Sequence, residues 1–447
     1  MIFSSIYFLI LFLPVTVLLY YIVPGIKLKN AVLLLASLIF YGLGEPRYIG
    51  LLVVSTLINY VLALLICKVG TGKAALICSV VFNVALLAVF KYIFTELPLP
   101  IGISFFTFQI LSYDIDVYRD KATVQRNFFD LLLYISFFPQ LIAGPIVKYY
   151  DIKEQLKNRR ADAVMIAQGL RRFIFGLGKK VLISNTIGYV VDGIYAMDSS
   201  QMNFVISWTA ALLYCLQIYY DFSGYSDMAI GLGKMFGFTF KENFEYPYEA
   251  SSIKEFWRKW HISLSTWFKE YLYIPLGGNR ISKGRTYLNK YIVFFLTGLW
   301  HGADITFVIW GLIHGTFSVL EERKGFSGRL NGTVLGHVYT ILVVSVAFVF
   351  FRSDNLSMAV NVIGQMFGGV SFMPEAMALF LAYFDGFTLI MILIGIIGTV
   401  RWKRIFEPLW ERKFVDRLTY PVSVVCLLLC IMSLAAGSYN PFIYFRF

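Results

Sequence analysis

Apolar residues in this chain gather into long runs rather than alternating stripes, and the runs have the length that crosses a bilayer. At roughly 20 residues per crossing, residues 2–23, 31–43, 48–67, 74–94, 101–117, 181–195, 204–220, 336–351, 378–400 and 420–436 read as spans. Prolines in the ELPLP stretch end the fourth of them. The first run has no basic leader and no small-residue cleavage site, so it reads as a retained span.

Two regions break this simple alternation. Residues 128–147 are apolar, yet basic clusters flank them on both sides, at 119–126 and 148–160. A single crossing would place one cluster outside, against the bias of cations towards the cytoplasmic face. A re-entrant segment bent at Pro139, Gly144 and Pro145 resolves the conflict. Irregular backbone at that depth requires protein or a cavity around it.

The second region is residues 256–315. On a wheel of ~100° per residue, Trp257, Trp260, Leu264, Trp267, Phe268, Tyr271 and Leu272 share one arc, with His261 near its margin. Arg258, Lys259, Ser265, Thr266, Lys269 and Glu270 share the other, and Ile262 alone does not fit. The pattern predicts a helix lying in the membrane interface. Residues 291–320 are instead apolar all round, interrupted by His301, Asp304 and His314. Gly298/Gly302 and Gly311/Gly315 have the spacing that lets helices approach closely. On one unbroken helix His301 and His314 would point about 220° apart, so only one of them can be a site's centre.

Composition agrees with a polytopic membrane protein of one domain spanning residues 1–447, all-helical, with no internal repeat. The chain is 58% hydrophobic and 15% charged, and its mean hydropathy is +0.69. The net charge of +12 sits in short loops, so nucleic acid is an unnecessary explanation. Residues 153–180 are the most basic stretch; they suit anionic lipid or, alternatively, a phosphorylated or acidic acyl donor. The five cysteines lie in or beside apolar runs without a CxxC pair, which supports neither a disulfide framework nor a metal site.

An ionisable side chain at membrane depth is a functional candidate by default. His301, beside Trp300 and followed by Gly302, is placed to take a proton from a hydroxyl, thiol or water. Asp221, Ser223 and Asp227 add a polar cluster in an apolar run, either bonding helices together or lining a site. No HExxH, GxSxG or Walker-type loop occurs. These residues alone leave an enzyme and a transporter open.

The runs YDFSGYSDMAIGLGKMFGF, FEYPYEASSIKEFWRKWHISLSTWFKEYLYIPLGGNR and LTGLWHGADITFVIWGLIHG closely resemble the membrane-bound O-acyltransferases. The nearest branch is that of the AlgI-like bacterial polysaccharide O-acetyltransferases. MIFSSIYFLILFLP, IGISFFTFQILSYDIDVYR, FPQLIAGPI and SYNPFIYFRF extend the likeness almost end to end, and it is densest over residues 101–315. The resemblance implies a ring of about 10 to 12 transmembrane helices, with re-entrant and interfacial helices around a central tunnel. It implies a catalytic role for His301, and it places the second family histidine on His261. Trp300, Asp221, Ser223, Asp227, Asn279 and Arg280 become candidates for the substrate path.

The resemblance further implies an acetyl group taken from a cytoplasmic donor, acetyl-CoA, with no bound cofactor or metal. An extracytoplasmic SGNH-type partner would complete acylation of a glycan outside the plasma membrane of a bacterium. The sister branch moves D-alanine from a carrier protein to teichoic acid; the LGGNR ending at Leu276 to Arg280 favours the polysaccharide branch. A transporter or flippase would show Gly/Pro-interrupted spans in two related halves, and none is visible.

Overall fold

A computed structural model describes residues 2–93, 99–142, 144–322, 326–402, 413–437, 439–441 and 443. The ELPLP break, the basic loop after Arg401 and the end of the tail fall wholly or partly outside them. Helix is the only regular secondary structure among the described residues, which contain no strand. They form two compact units: Met1–Leu177 with Tyr225–Glu242, and Gly178–Gly224 with Asn243–Phe447.

The first unit contains α1 (Leu13–Ile22), α2 (Gly25–Gly44), α3 (Ile49–Ile66), α4 (Gly72–Ala88), α5 (Ile103–Tyr118), α6 (Phe128–Ser136), α7 (Tyr149–Lys157) and α8 (Ala163–Gly178). Helices α3, α4 and α5 pack together around an internal polar cluster. Asn83 Nδ2 donates to Asn59 Oδ1 at 2.8 Å, and Ser79 Oγ lies 2.5 Å from Asp114 Oδ2. All four side chains are buried.

The segment expected to be re-entrant is broken here. Phe137 leaves the helical region after α6, a four-residue helix Phe138–Leu141 follows, and residues 144–148 are not helical before the next helix starts at Tyr149. Its backbone is satisfied from within: Tyr134 Oη donates to Val147 O at 2.8 Å, and Phe138 N donates to Ser37 Oγ at 3.1 Å. The basic stretch is partly consumed by the fold. Arg159 donates to Asn30 Oδ1 at 2.7 Å and stacks on Phe238 at 4.2 Å. Arg172 pairs with Asp227 at 2.8 Å and also with Glu242. Cations committed in this way are not offered to a phosphate.

The second unit contains α9 (Asn185–Tyr195), the first part of the long α10 (Phe204–Met235), α11 (Ile253–Lys259), α12 (Ile262–Phe268), α13 (Lys283–His301), α14 (Ile305–Leu320), α15 (Val334–Arg352), α16 (Leu356–Gly368), α17 (Pro374–Leu381), α18 (Gly386–Ile397) and α19 (Lys413–Ala435). Its centre is the hairpin of α13 and α14 with α15 against it.

Three expectations need correction. The single interfacial helix is two helices, because Trp260 is extended and His261 left-handed between α11 and α12. That break resets the helical phase, which is why Ile262 fitted no arc. The tryptophan face also turns inward: Trp260 and Trp267 are buried in protein. The stretch between the apolar runs at 336–351 and 378–400, where no element was expected, holds α16; Asn355 Oδ1 caps it at Met358 N, 2.9 Å, and Ala359, Val362 and Met366 bury its inner face.

Among the described residues, five helices are long and apolar enough to cross a membrane by themselves. A sixth span arises if α17 and α18, bent by 76°, count as one. This is a multi-pass membrane protein.

Candidate active site

The position of His301 follows from how closely α13 and α14 meet. A Cβ on Gly298 would stand 2.5 Å from Phe307 O, and Gly311 packs on Phe294 O in the same way. The two small-residue motifs are therefore each other's partners. The hairpin turns at Gly302–Asp304, and Asp304 Oδ1 opens α14 by accepting from Thr306 N at 2.8 Å. His301, the last residue of α13, is held among rings. The centroids of Trp300, Trp310 and Phe351 lie 4.7, 5.0 and 5.0 Å from its own.

His261 is positioned by backbone as well as by side chain. Its φ of 42° lies in the left-handed region, a conformation costing on the order of 1–3 kcal/mol in a non-glycine residue and common at functional sites. Asn243, fully buried, holds it there. Asn243 O accepts from Ile262 N at 2.9 Å, while its Oδ1 accepts from Ser263 N at 3.1 Å and lies 3.2 Å from His261 Nδ1. A carbonyl oxygen can only accept, so this contact puts the proton on Nδ1 and leaves Nε2 with its lone pair. Nε2 is buried and has no hydrogen-bond partner among the described residues.

Both histidines line one narrow chamber of about 20 Å³, with Asp221, Phe222, Trp260, Trp310, Phe348, Phe351 and Ile443. That is room for about one water molecule. A wider cavity of about 440 Å³ lies beyond it, lined by Gly302 to Asp304, by Arg352 to Asp354 and by Asp192, Gln217, Tyr214 and Tyr439 among others. Phe351 and Ile443 belong to both walls.

The chain's end is tied into this wall by a buried ion pair. Lys180 pairs with Asp221, and both side chains are almost fully buried. Lys180 Nζ also donates to Pro441 O, and Asp221 Oδ2 accepts from Ile443 N at 3.3 Å. Hydrogen bonds to the tail thus complete a pair whose desolvation would otherwise be costly. Asp192 performs a similar service one helix away, pairing with Arg352 at 2.6 Å and accepting from Tyr439 Oη.

The other sequence candidates scatter. Trp300 is buried against both histidines, its centroid 6.3 Å from that of His261, but it is not in the chamber lining. Ser223 is buried, and its hydroxyl has no partner among the described residues. Asp227 belongs to the first unit and serves the Arg172 pair. Asn279 and Arg280 are exposed in the turn after α12 and line neither cavity. His314 is buried in a cage of Phe256, Trp257, Phe294 and Trp310, and neither ring nitrogen has a hydrogen-bond partner among the described residues. Asn243, Phe351, Arg352 and Ile443 were not picked from sequence. None carried a decisive local signal; Asn243 sits among Lys241, Glu242, Phe244 and Glu245, where one more polar residue does not stand out. Among the described residues no three metal-ligating side chains cluster.

Comparison with known proteins gives this geometry a context. Residues 38–326 match the model of the membrane-bound O-acyltransferase family. The probable alginate O-acetylase AlgI of Pseudomonas syringae pv. tomato is 41% identical over 392 residues, covering 82% of this chain and 75% of the relative. Its counterpart in Pseudomonas putida is 37% identical over the full length of both proteins. The peptidoglycan O-acetyltransferase of Helicobacter pylori is 37% identical, covering 83% of this chain and 81% of the relative.

Proposed function

The chain belongs to the membrane-bound O-acyltransferase family, and from that premise we propose that it carries an acetyl group from a cytoplasmic thioester to an extracytoplasmic glycan, with His301 as the base. One observation carries the proposal: two histidines meet in a chamber that shares a wall with a wider polar vestibule.

In the transfer, the acceptor hydroxyl gives its proton to the His301 imidazole. Its oxygen then bonds to the acetyl carbonyl carbon as the carbon–sulfur bond breaks, and the thiol leaves with the proton from the histidine. His261, fixed as the Nδ1–H tautomer by Asn243, offers Nε2 to the same space and orients or relays. The narrow chamber favours a two-carbon acyl group over a long chain.

The direction follows from charge. Helix α13 begins at Lys283 in the basic region of residues 254–290 and ends at His301, roughly 28 Å further on at 1.5 Å per residue. The positive-inside rule puts its start on the cytoplasmic side, facing the polyanionic acetyl-CoA, and the vestibule on the other. The protein then sits in a bacterial plasma membrane. An SGNH-type partner outside would carry the group onward to the polymer, as the resemblance implies.

The test uses sealed vesicles with labelled acetyl-CoA on the cytoplasmic face and a glycan acceptor opposite. Label should reach the acceptor while CoA stays behind, and His301→Ala should stop it. Intact acetyl-CoA in the far compartment would establish a transporter instead.

A further inference from the structure

A buried ion pair is a weak way to stabilise helices in lipid. Apolar side chains of the same volume fill the space without stripping water from two charges. The Lys180–Asp221 pair leaves only 1% and 2% of its side chains exposed, so stability alone does not account for it. Its other contacts do. Lys180 Nζ donates to Pro441 O, and Asp221 Oδ2 accepts from Ile443 N at 3.3 Å. Each partner thus also holds one backbone group of the same short segment.

Further ties act on that segment. Asn185 Nδ2 donates to Asn440 Oδ1 at 3.0 Å, and Tyr439 Oη donates to Asp192. Asn185 and Asp192 lie seven residues apart, hence on one face of α9. The four described residues Tyr439, Asn440, Pro441 and Ile443 are therefore each bonded to a polar side chain of α9, of α10 or of the π-helical turn Lys179–Ser184 before α9. Packing alone lets an apolar segment slide, whereas directional bonds fix its register. What they fix is Ile443, which lines both the chamber of the two histidines and the vestibule.

We propose that Lys180 and Asp221 are positioning residues of the transfer: their pair fixes the backbone at Pro441 and Ile443, and through it the wall past which the acetyl group leaves His301. This rests on the acyl-transfer reading above. Asp221 borders the chamber, but one carboxylate oxygen faces Lys180 and the other accepts from Ile443. Its action on the reaction passes through that segment.

The double replacement Lys180→Met with Asp221→Leu separates anchoring from stability. No unpaired ion is left buried, so the thermal melt should stay at or above that of wild type. Ile443→Cys, in a chain whose less buried Cys67, Cys78 and Cys426 are replaced by alanine, reports the segment by its rate of maleimide labelling. The double replacement should raise that rate about tenfold or more, while the buried Cys215 and Cys430 stay protected. In vesicles, with Ile443 retained, it should lower kcat for acetyl transfer about 10- to 100-fold and leave KM for acetyl-CoA within about twofold. Should the double replacement melt early, Asn185→Ala, which breaks one tie and buries no charge, carries the same two readouts with smaller expected changes. An unchanged labelling rate overturns the proposal, as does fast labelling with kcat intact or a raised KM at constant kcat. Labelling is read without catalysis, so a wild type that transfers no acetyl group would sink the acyl-transfer reading and still leave the anchor measured.

Discussion

Two buried polar clusters, one in each unit, are built by opposite rules. In the first unit Asn59, Ser79 and Asn83 bond to one another, and Ser79 reaches Asp114, across α3, α4 and α5. In the second, Asn243 faces one nitrogen of His261, and the other is buried without a hydrogen-bond partner among the described residues, beside a chamber whose lining includes both His261 and His301. Interlocked polar groups hold helices together in lipid, each bond being worth about 0.6 kcal/mol on average and at most about 2. A buried polar atom without such a bond contributes nothing of that kind; in the reading proposed above, that nitrogen of His261 serves the transfer instead.

The sharpest way to break the comparison is His301→Ala. Acetyl transfer in vesicles should fall about 10²- to 10⁴-fold, while the thermal melt in detergent stays within about two degrees of wild type. A rate above a tenth of wild type removes His301 from the mechanism.

Asn59→Ala should do the reverse. It strips partners from Ser79 and Asn83, so stability should fall by about 1–3 kcal/mol, with the rate per folded molecule within about twofold. A loss of rate without a loss of stability would make the first cluster functional too, and the contrast would collapse.

Asn243→Asp sharpens the tautomer assignment. A carboxylate facing Nδ1–H favours the imidazolium, so the pKa of His261 rises. The protonated, inactive form then persists to higher pH, and the acid limb of the pH–rate profile should move up by about one unit or more. An unmoved limb, with Asn243→Ala equally silent, would reduce Asn243 to packing.

The smallest effect belongs to His314→Phe. The ring is caged by aromatics, and neither nitrogen is bonded among the described residues. A replacement of similar shape should cost under ~1.5 kcal/mol and leave transfer within about threefold. A tenfold loss would bring His314 into the chemistry.

Much of this was legible in the chain because the signals were local. The break near Pro139 and the close approach at the glycine pairs around His301 each arise within a few residues and appear where they were read. Among the described residues six of the ten apolar runs correspond to helices of span length and hydropathy, one of them as a bent pair. His261 shows the limit. Nothing near it resembles a helix breaker; its left-handed backbone is held by Asn243, eighteen positions earlier. Asp221 looked like a helix-bonding or site residue, but its true partners are Lys180 and the tail at Ile443, 222 positions away. Arg352 falls just past the end of the apolar run at 336–351, whereas its meaning lies in Asp192 on α9. Where one residue's role is set by a distant one, a wheel or a spacing rule has nothing to count.

The wall that Phe351 and Ile443 share between chamber and vestibule also has an electrical meaning. A charge crossing an energised membrane releases about 2.3 kcal/mol per 100 mV, so any continuous thread of water through the protein would discharge the cell. With room for about one water on the histidine side and a ring and an aliphatic side chain closing the other, that thread is interrupted. On the route proposed above, the same two residues that narrow the path for an acetyl group act as an insulator, so that a group can be handed across the bilayer without short-circuiting the gradient on which the cell depends.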